Sequence, residues 1–464
     1  MSQLPQGWES IQLKELITLN KKFKDLEDDL DCGFVPMANV PTKLNEKLTY
    51  EPRKWRDCKK GYTHFQNGDV LLAKITPCFE NGKSVLVNDL PNGVGAGSTE
   101  YFVMRPNGID SRYLHAFVKT KEFVDSCTVN MSGSVGHKRV PKDYLLNYTV
   151  PLAPENEQKR IADKLDSVLA KVEAAQARLD KIPTILKRFR QSVLAAATSG
   201  ELTKDWREEN ESIQSAFEAY ELKRLSDRKK WEEIKLSEFR EKNKFPSNDK
   251  WKAKYKEVAL PNQEELQPLN SGWGYFYVEN VASSAKYSMS SGPFGSALGR
   301  KDYTEAGVPV LRGQNVKNGV AGVGGFVFVS EEKATSIPRS LAYPGDVVVV
   351  VVGSSGVTGI IPQNISVALL SQNCNKISVD NVLVRSEYFN LFLQSQVAQS
   401  QISAQTTDTV RQFFSLTNLK KTVIAVPPLQ EQNEISLSAE QSLEHAHTAE
   451  KQHNAAKARL ANPP

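Results

Sequence analysis

From Ile161 onward the apolar residues recur by four and by three in turn: Ile161, Leu165, Val168, Val172, Ala175, Leu179, Ile182, Leu186, Phe189, Val193 and Ala196. That alternation is the seam of a coiled coil, sustained for about five heptads. Pro151 and Pro154 cannot lie inside a helix, while Glu155 and Glu157 put negative charge at the positive end of the macrodipole, so the helix is predicted to start there. Gly200 stands where a C-cap would. Pro183 interrupts the run and predicts either a kink or the start of a second segment. The seam contacts are expected at Ile161, Leu165, Val168, Val172, Leu179 and Ile182.

The pattern occurs twice. Val426-Pro427-Pro428-Leu429-Gln430-Glu431-Gln432, with Ile435 after it, repeats the Pro-rich lead into Glu157, Gln158 and Ile161. Ala174-Ala175-Gln176-Ala177-Arg178-Leu179 returns as Ala455-Ala456-Lys457-Ala458-Arg459-Leu460. The first pair of matches is offset by 274 residues and the second by 281, a difference of one heptad that keeps the seam in register. The second seam carries Ser442 and His453 and needs a better partner than itself; the first helix is the expected one.

The repeat reaches beyond the helices. Leu4-Pro5-Gln6-Gly7-Trp8 is echoed by Leu269-Asn270-Ser271-Gly272-Trp273, and Gly68-Asp69-Val70-Leu71-Leu72 by Gly345-Asp346-Val347-Val348-Val349, each Gly-Asp pair reading as a turn into a buried strand. Arg112–Phe117 and Glu387–Phe392 read as matching amphipathic helices. Shared order and spacing make these a duplication. The fold class is therefore α+β: two mixed α/β domains, residues 1–153 and 269–428, separated by two long antiparallel coiled-coil helices, 154–206 and 429–464, in a pseudo-twofold internal repeat. The stretch 207–268 is dense in charge of both signs and carries Trp231 and Trp251, which predicts a solvated helical linker with aromatic anchors. No second copy of Thr184 to Trp206 is found in the sequence.

The net charge of +5 and pI near 8.7 admit a nucleic-acid partner without requiring one. No apolar run is long enough to span a bilayer and the first residues lack a secretory pattern, so a soluble cytoplasmic chain without a membrane partner is expected. The five cysteines are odd in number, widely spaced and free of Cys-x-x-Cys, which argues against a disulfide framework or a zinc site.

Candidate chemistry mostly fails. Gly82-Lys83-Ser84 has the end of a phosphate-binding loop, yet Pro77 stands where its first glycine is required. Glu157-Gln158-Lys159 sits at a helix start and not on the neighbouring strands of a nuclease site. His445, His447 and His453 do not converge on a metal. No catalytic residue, metal or bound cofactor is expected. Two stretches instead have the side chains of a recognition surface. Lys74, Thr76, Glu80, Asn81 and Lys83 crowd a turn leaving a predicted strand, with groups that bond phosphates and base edges. In the second half Arg312, Gln314 and Asn315 lie in a loop, and Ser354 and Ser355 sit in the Gly353–Gly359 stretch.

The duplicated Pro-rich lead with Glu-Gln and Ile, the Ile185–Leu194 run and Ser199-Gly200-Glu201-Leu202-Thr203 together resemble the DNA-specificity subunit of Type I restriction-modification enzymes. The resemblance covers nearly the whole chain. It implies two target-recognition domains, each reading half of a split double-stranded DNA site. It also implies a non-catalytic role beside two modification subunits that methylate adenine with S-adenosylmethionine and two restriction subunits that use ATP and Mg. The alternative is a coiled-coil scaffold for protein assembly without DNA.

Overall fold

The computed structural model describes residues 4–134, 136–210, 213–352, 356–404 and 415–461. The chain forms two compact units, residues 1–180 and 181–464.

The first unit is built on two four-stranded sheets. One runs Ile17–Leu19, Tyr101–Pro106, Val70–Ala73, Ser84–Leu86; the other runs Glu51–Lys54, Asp31–Val35, Val94–Gly97, Thr63–Gln66. Val70–Ala73 is buried along its whole length, as a continuous apolar run should be when both faces are covered. Gly68 enters it at φ +90°, a conformation glycine takes without steric cost. Asp69 then accepts a hydrogen bond from the Gln66 amide at 2.9 Å and a bidentate pair from Arg105 at 2.9 and 2.8 Å. The first strand, Glu9–Gln12, pairs antiparallel with the last, Thr149–Leu152.

Helix α1, Ser111–Val118, is capped by Asp110, whose carboxylate accepts from the Arg112 and Tyr113 amides. Tyr113 donates to the Pro151 carbonyl at 2.6 Å. Helix α2, Glu155–Ser199, follows directly after Pro154. Gln158, fully buried, fixes its first turn by accepting from the Asp110 amide and donating to the Ala153 carbonyl, both at 2.8 Å. Pro183 does not begin a second segment. The helix runs through it, because the missing bond to the Leu179 carbonyl is one among the many of a 45-residue helix.

The second unit opens with the rest of α2. Gly200 ends that helix at φ +79°, and a Cβ there would meet the Asn270 amide nitrogen at 2.3 Å and the Trp273 ring at 3.0 Å, so both conformation and space demand glycine. The charged linker is helix α3, Ala216–Glu241, opened by a Ser215–Glu218 capping box. It is held by aromatic contacts: Trp231 stacks on Trp251 with centroids 5.8 Å apart, and Phe239 meets Trp251 edge-on.

The body of this unit has six strands in one sheet and five in another, with Gly274–Tyr277 paired antiparallel to Val423–Val426 as the counterpart of the first unit's terminal pair. Val347–Val350 is wholly buried at the centre of the six, and burying each valine contributes about 1.5–3 kcal/mol. Gly345 at φ +87° and Asp346 repeat the Gly-Asp turn: Asp346 accepts from the Tyr343 amide at 2.9 Å and from Lys376 at 3.0 Å.

Helix α4, Ser386–Gln394, carries Tyr388, which donates to the Ala425 carbonyl at 2.7 Å. Helix α5, Leu429–Ala461, is anchored by Gln432, which accepts from the Arg385 amide and donates to the Pro427 carbonyl. The segment from Lys181 runs antiparallel to α5, since Arg190 pairs with Glu450 at 2.7 Å while Thr203 reaches Glu431 at 2.8 Å. Val193, Leu194 and Ala197 share one core with Ile435 and Ala439.

Candidate nucleic-acid interface

In the first unit the recognition turn begins where Val70–Ala73 ends. The Lys74 amide donates to the Glu100 carbonyl at 3.0 Å, while its own carbonyl accepts from the Val140 amide at 2.9 Å. The Thr76 amide donates to the Lys138 carbonyl at 3.0 Å. The turn is therefore laced on both sides. Phe79, fully buried, pins its middle, and amide bonds from Phe79 to Ile75, Asn81 to Pro77 and Gly82 to Phe79 fold the loop tightly around that ring. Glu80 and Asn81 are left exposed at the tip.

Lys74 is half-buried, its ammonium 5.7 Å above the Phe102 ring, and the Thr76 hydroxyl reaches the Met131 sulfur. Lys83 turns inward: its ammonium donates to the Met37 carbonyl at 2.7 Å and to the Ala38 carbonyl at 3.4 Å. Lys119 ties the far end of the turn, donating to the Gly82 carbonyl at 2.6 Å and the Thr42 carbonyl at 2.8 Å, and burial lowers its pKa to about 8.

The structure adds a partner that sequence reading missed. Residues 131–140 cross the turn through bridges from Ile75 and Ser132 to Arg139. This crossing exposes His137, Lys138 and Arg139 beside Lys74 and Thr76. Arg139 grips Glu100 with two bonds of 2.9 Å and holds that carboxyl below its ordinary range. Its legible signal was the Gly133, Gly136, His137-Lys138-Arg139 composition, glycine beside three basic groups.

In the second unit Arg312 and Gln314 line a cavity of about 800 Å³ with Lys317, Tyr303 and Asn373. Gln314 and Lys317 are exposed, and Arg312 donates to the Gly325 carbonyl at 3.4 Å. Asn315 is buried and fully engaged, accepting from the Arg312 amide and donating to the Val323 and Gly325 carbonyls. It shapes the loop from within. Ser354 and Ser355 lie outside the described residues.

Replacing Lys74 or Lys138 with alanine should weaken binding to every DNA sequence and flatten its salt dependence by about one counterion per lost phosphate contact. Glu80→Ala or Asn81→Ala should instead relax sequence choice, a bidentate base contact discriminating by about 1–3 kcal/mol. Equilibrium binding across a salt series and a randomised site library separates the two. Unchanged slopes and preferences in all four variants would move the DNA surface elsewhere.

One body built twice, with the same polar joints at its base and different exposed loops above them, defines a duplicated recognition protein. A family model described as the Type I restriction modification DNA specificity domain matches residues 5–184 and 299–450, and the chain belongs to that family. Among its relatives is the Type I restriction enzyme EcoAI specificity subunit of Escherichia coli, 26% identical over 93% of this chain and 77% of that protein. The EcoEI specificity subunit of Escherichia coli is 35% identical, over 44% of this chain and 35% of its own length. The crystal structure of the HsdS subunit from Thermoanaerobacter tengcongensis shares the fold, with a TM-score of 0.57 at 15% identity, covering 97% of this chain and 93% of that one.

Proposed function

We propose that this chain is the specificity subunit of a Type I restriction-modification complex and reads a bipartite double-stranded DNA target, one half-site per domain. The observation that carries this reading is internal. The joints repeat residue for residue: Trp8 and Trp273 on Glu157 and Glu431, Gln158 and Gln432 at the helix starts, Tyr113 and Tyr388 on strand carbonyls. The loops do not. Lys74, Thr76, Glu80 and Asn81 in one domain face a different chemistry of Arg312, Gln314 and Lys317 in the other. Two readers on one frame recognise two different short sequences, and well-separated contacts add roughly in energy.

On this reading methyl transfer and cleavage belong to partners, two modification and two restriction subunits in the cytoplasm, with S-adenosylmethionine, ATP and Mg bound there. The chain alone should transfer no methyl group. The test exchanges residues 1–150 for the first domain of another specificity subunit, co-expresses the hybrid with the modification subunits and maps methylated adenines. One half of the methylated sequence should change and the other persist; a change in both would end the one-domain, one-half-site reading.

A further inference from the structure

The two domain bases differ in one respect: the second is closed and the first is open. In the second, Glu431 accepts from Trp273 Nε1 at 2.9 Å, from the Thr203 hydroxyl at 2.8 Å and from the Arg207 guanidinium, which also donates to the Gly200 carbonyl at 3.0 Å. The helical turns before Gly200 place Val193, Leu194 and Ala197 in the core that holds Tyr388, Phe392, Ile435 and Ala439. Glu431 is only 1% exposed as a result.

In the first domain Trp8 donates to Glu157 at 3.1 Å in the same way. Glu157, however, is 30% exposed, and its second oxygen faces Arg160, itself 76% exposed on the solvent side of α2. Beside it lies an open groove of about 580 Å³ between α1 and α2, lined by Tyr113, Phe117, Pro151, Ile161 and Leu165. These are the counterparts of Tyr388, Phe392, Ala425, Ile435 and Ala439. The apolar face continues along α2 through Val168 and Val172, 44% and 52% exposed, whereas Ala446, the counterpart of Val172, is 2% exposed.

We infer that the groove and Glu157 form a docking site for a helix-and-turn segment with the chemistry of Val193–Arg207. Such a segment offers apolar residues on one helical face, a glycine that takes the left-handed conformation, a hydroxyl three residues later and a guanidinium four beyond that. Its helix fills the Tyr113–Leu165 groove. Its hydroxyl and guanidinium complete the Glu157 carboxylate, displacing Arg160, as Thr203 and Arg207 complete Glu431. One contact is not reproduced: Asn270 donates to the Ser199 carbonyl at 2.8 Å, and Pro5, its counterpart, has no donor. The site stands on the internal comparison and does not depend on DNA binding.

The probe is a fluorescein-labelled synthetic peptide of residues 186–208, titrated by anisotropy against the full chain. A short isolated helix is marginal in water, so ordering it weakens binding and saturable binding below about 1 mM is the expected result. Glu157→Gln should weaken it by about tenfold or more, since a charge-assisted pair is lost, and Leu165→Asp should do the same from the apolar side. Both positions are partly exposed, so the variants should fold, which circular dichroism checks. Glu157→Arg should recover binding to a peptide carrying Arg207→Glu. A photo-crosslinker at peptide position 194 should label residues around 113–117 and 161–165. Three results would overturn the site: no saturable binding, equal binding by both weakening variants, or labelling confined to the second domain's base.

Discussion

Glu431→Ala should destabilise the second unit by about 3–5 kcal/mol, the cost of leaving a buried partner charge without compensation. The carboxylate is 1% exposed and Arg207 is 18% exposed, so little water can take over. Trp273 Nε1 and the Thr203 hydroxyl lose their acceptor in the same step. A domain's net stability is only about 5–15 kcal/mol, so this single change removes a large share of it. Glu157→Ala is the control at the equivalent place in the first domain. Its ion pair with Arg160 faces solvent and contributes about 0–1 kcal/mol, plus a single indole hydrogen bond of about 1 kcal/mol. Urea unfolding followed by tryptophan fluorescence compares the two. Equal losses would contradict the contrast between a closed and an open base.

Acidification should weaken the first unit between about pH 6.5 and pH 4. His115 is buried, and burial lowers its pKa from 6.5 to about 4, helped by the nearby Lys119 charge. The folded pKa lies below the unfolded one, so the unfolded chain takes the proton first. Stability is full above pH 6.5 and falls through the window by up to about 1.4 kcal/mol per pH unit, on the order of 3 kcal/mol in all. His64 acts in the same direction. Its Nδ1 accepts from the Phe23 amide at 3.2 Å, and burial holds its pKa down. A protonated ring would set two donors against each other there. Unfolding measured at pH 7, 5.5 and 4.5 stays above the range where ordinary carboxylates titrate fully. The double variant His115→Gln, His64→Gln should lose most of the slope between pH 6.5 and 4.5. An unchanged slope would place the acid sensitivity in other groups.

Local rules carried a large part of this fold on the surface of the sequence. The heptad steps from Ile161 correspond to a helix that starts at Glu155, after Pro154, and Gly200 takes the left-handed conformation that a C-cap asks for. Both Gly-Asp pairs turn into buried strands, and Asp69 and Asp346 bond their turns alike. These features rest on residues close together in the chain. What was not legible depends on distant ones. The inward turn of Lys83 is decided by carbonyls at Met37 and Ala38, and the burial of Asn315 by carbonyls of a loop eight to ten residues on. The basic residues 137–139 have no periodicity, and their place beside Lys74 is set by backbone bonds across more than sixty residues of sequence. Pro183 shows the converse: a strong local signal for a break is overridden when the turns on both sides are helical.

The pairing of Glu9–Gln12 with Thr149–Leu152, and of Gly274–Tyr277 with Val423–Val426, means that each domain is entered and left at neighbouring points of one two-stranded ribbon. Everything between those strands hangs from the ribbon like a bead from a clasp. Genetic crossovers that fall within the two clasp segments can exchange a whole bead while both junctions remain in backbone-paired strands, outside the sheets that make up its core. Because the clasps of the two halves share their Gly-Trp entry and Glu-Gln exit, either position can in principle receive a bead from the other, and new target sequences can arise by shuffling intact parts without redesign of the frame.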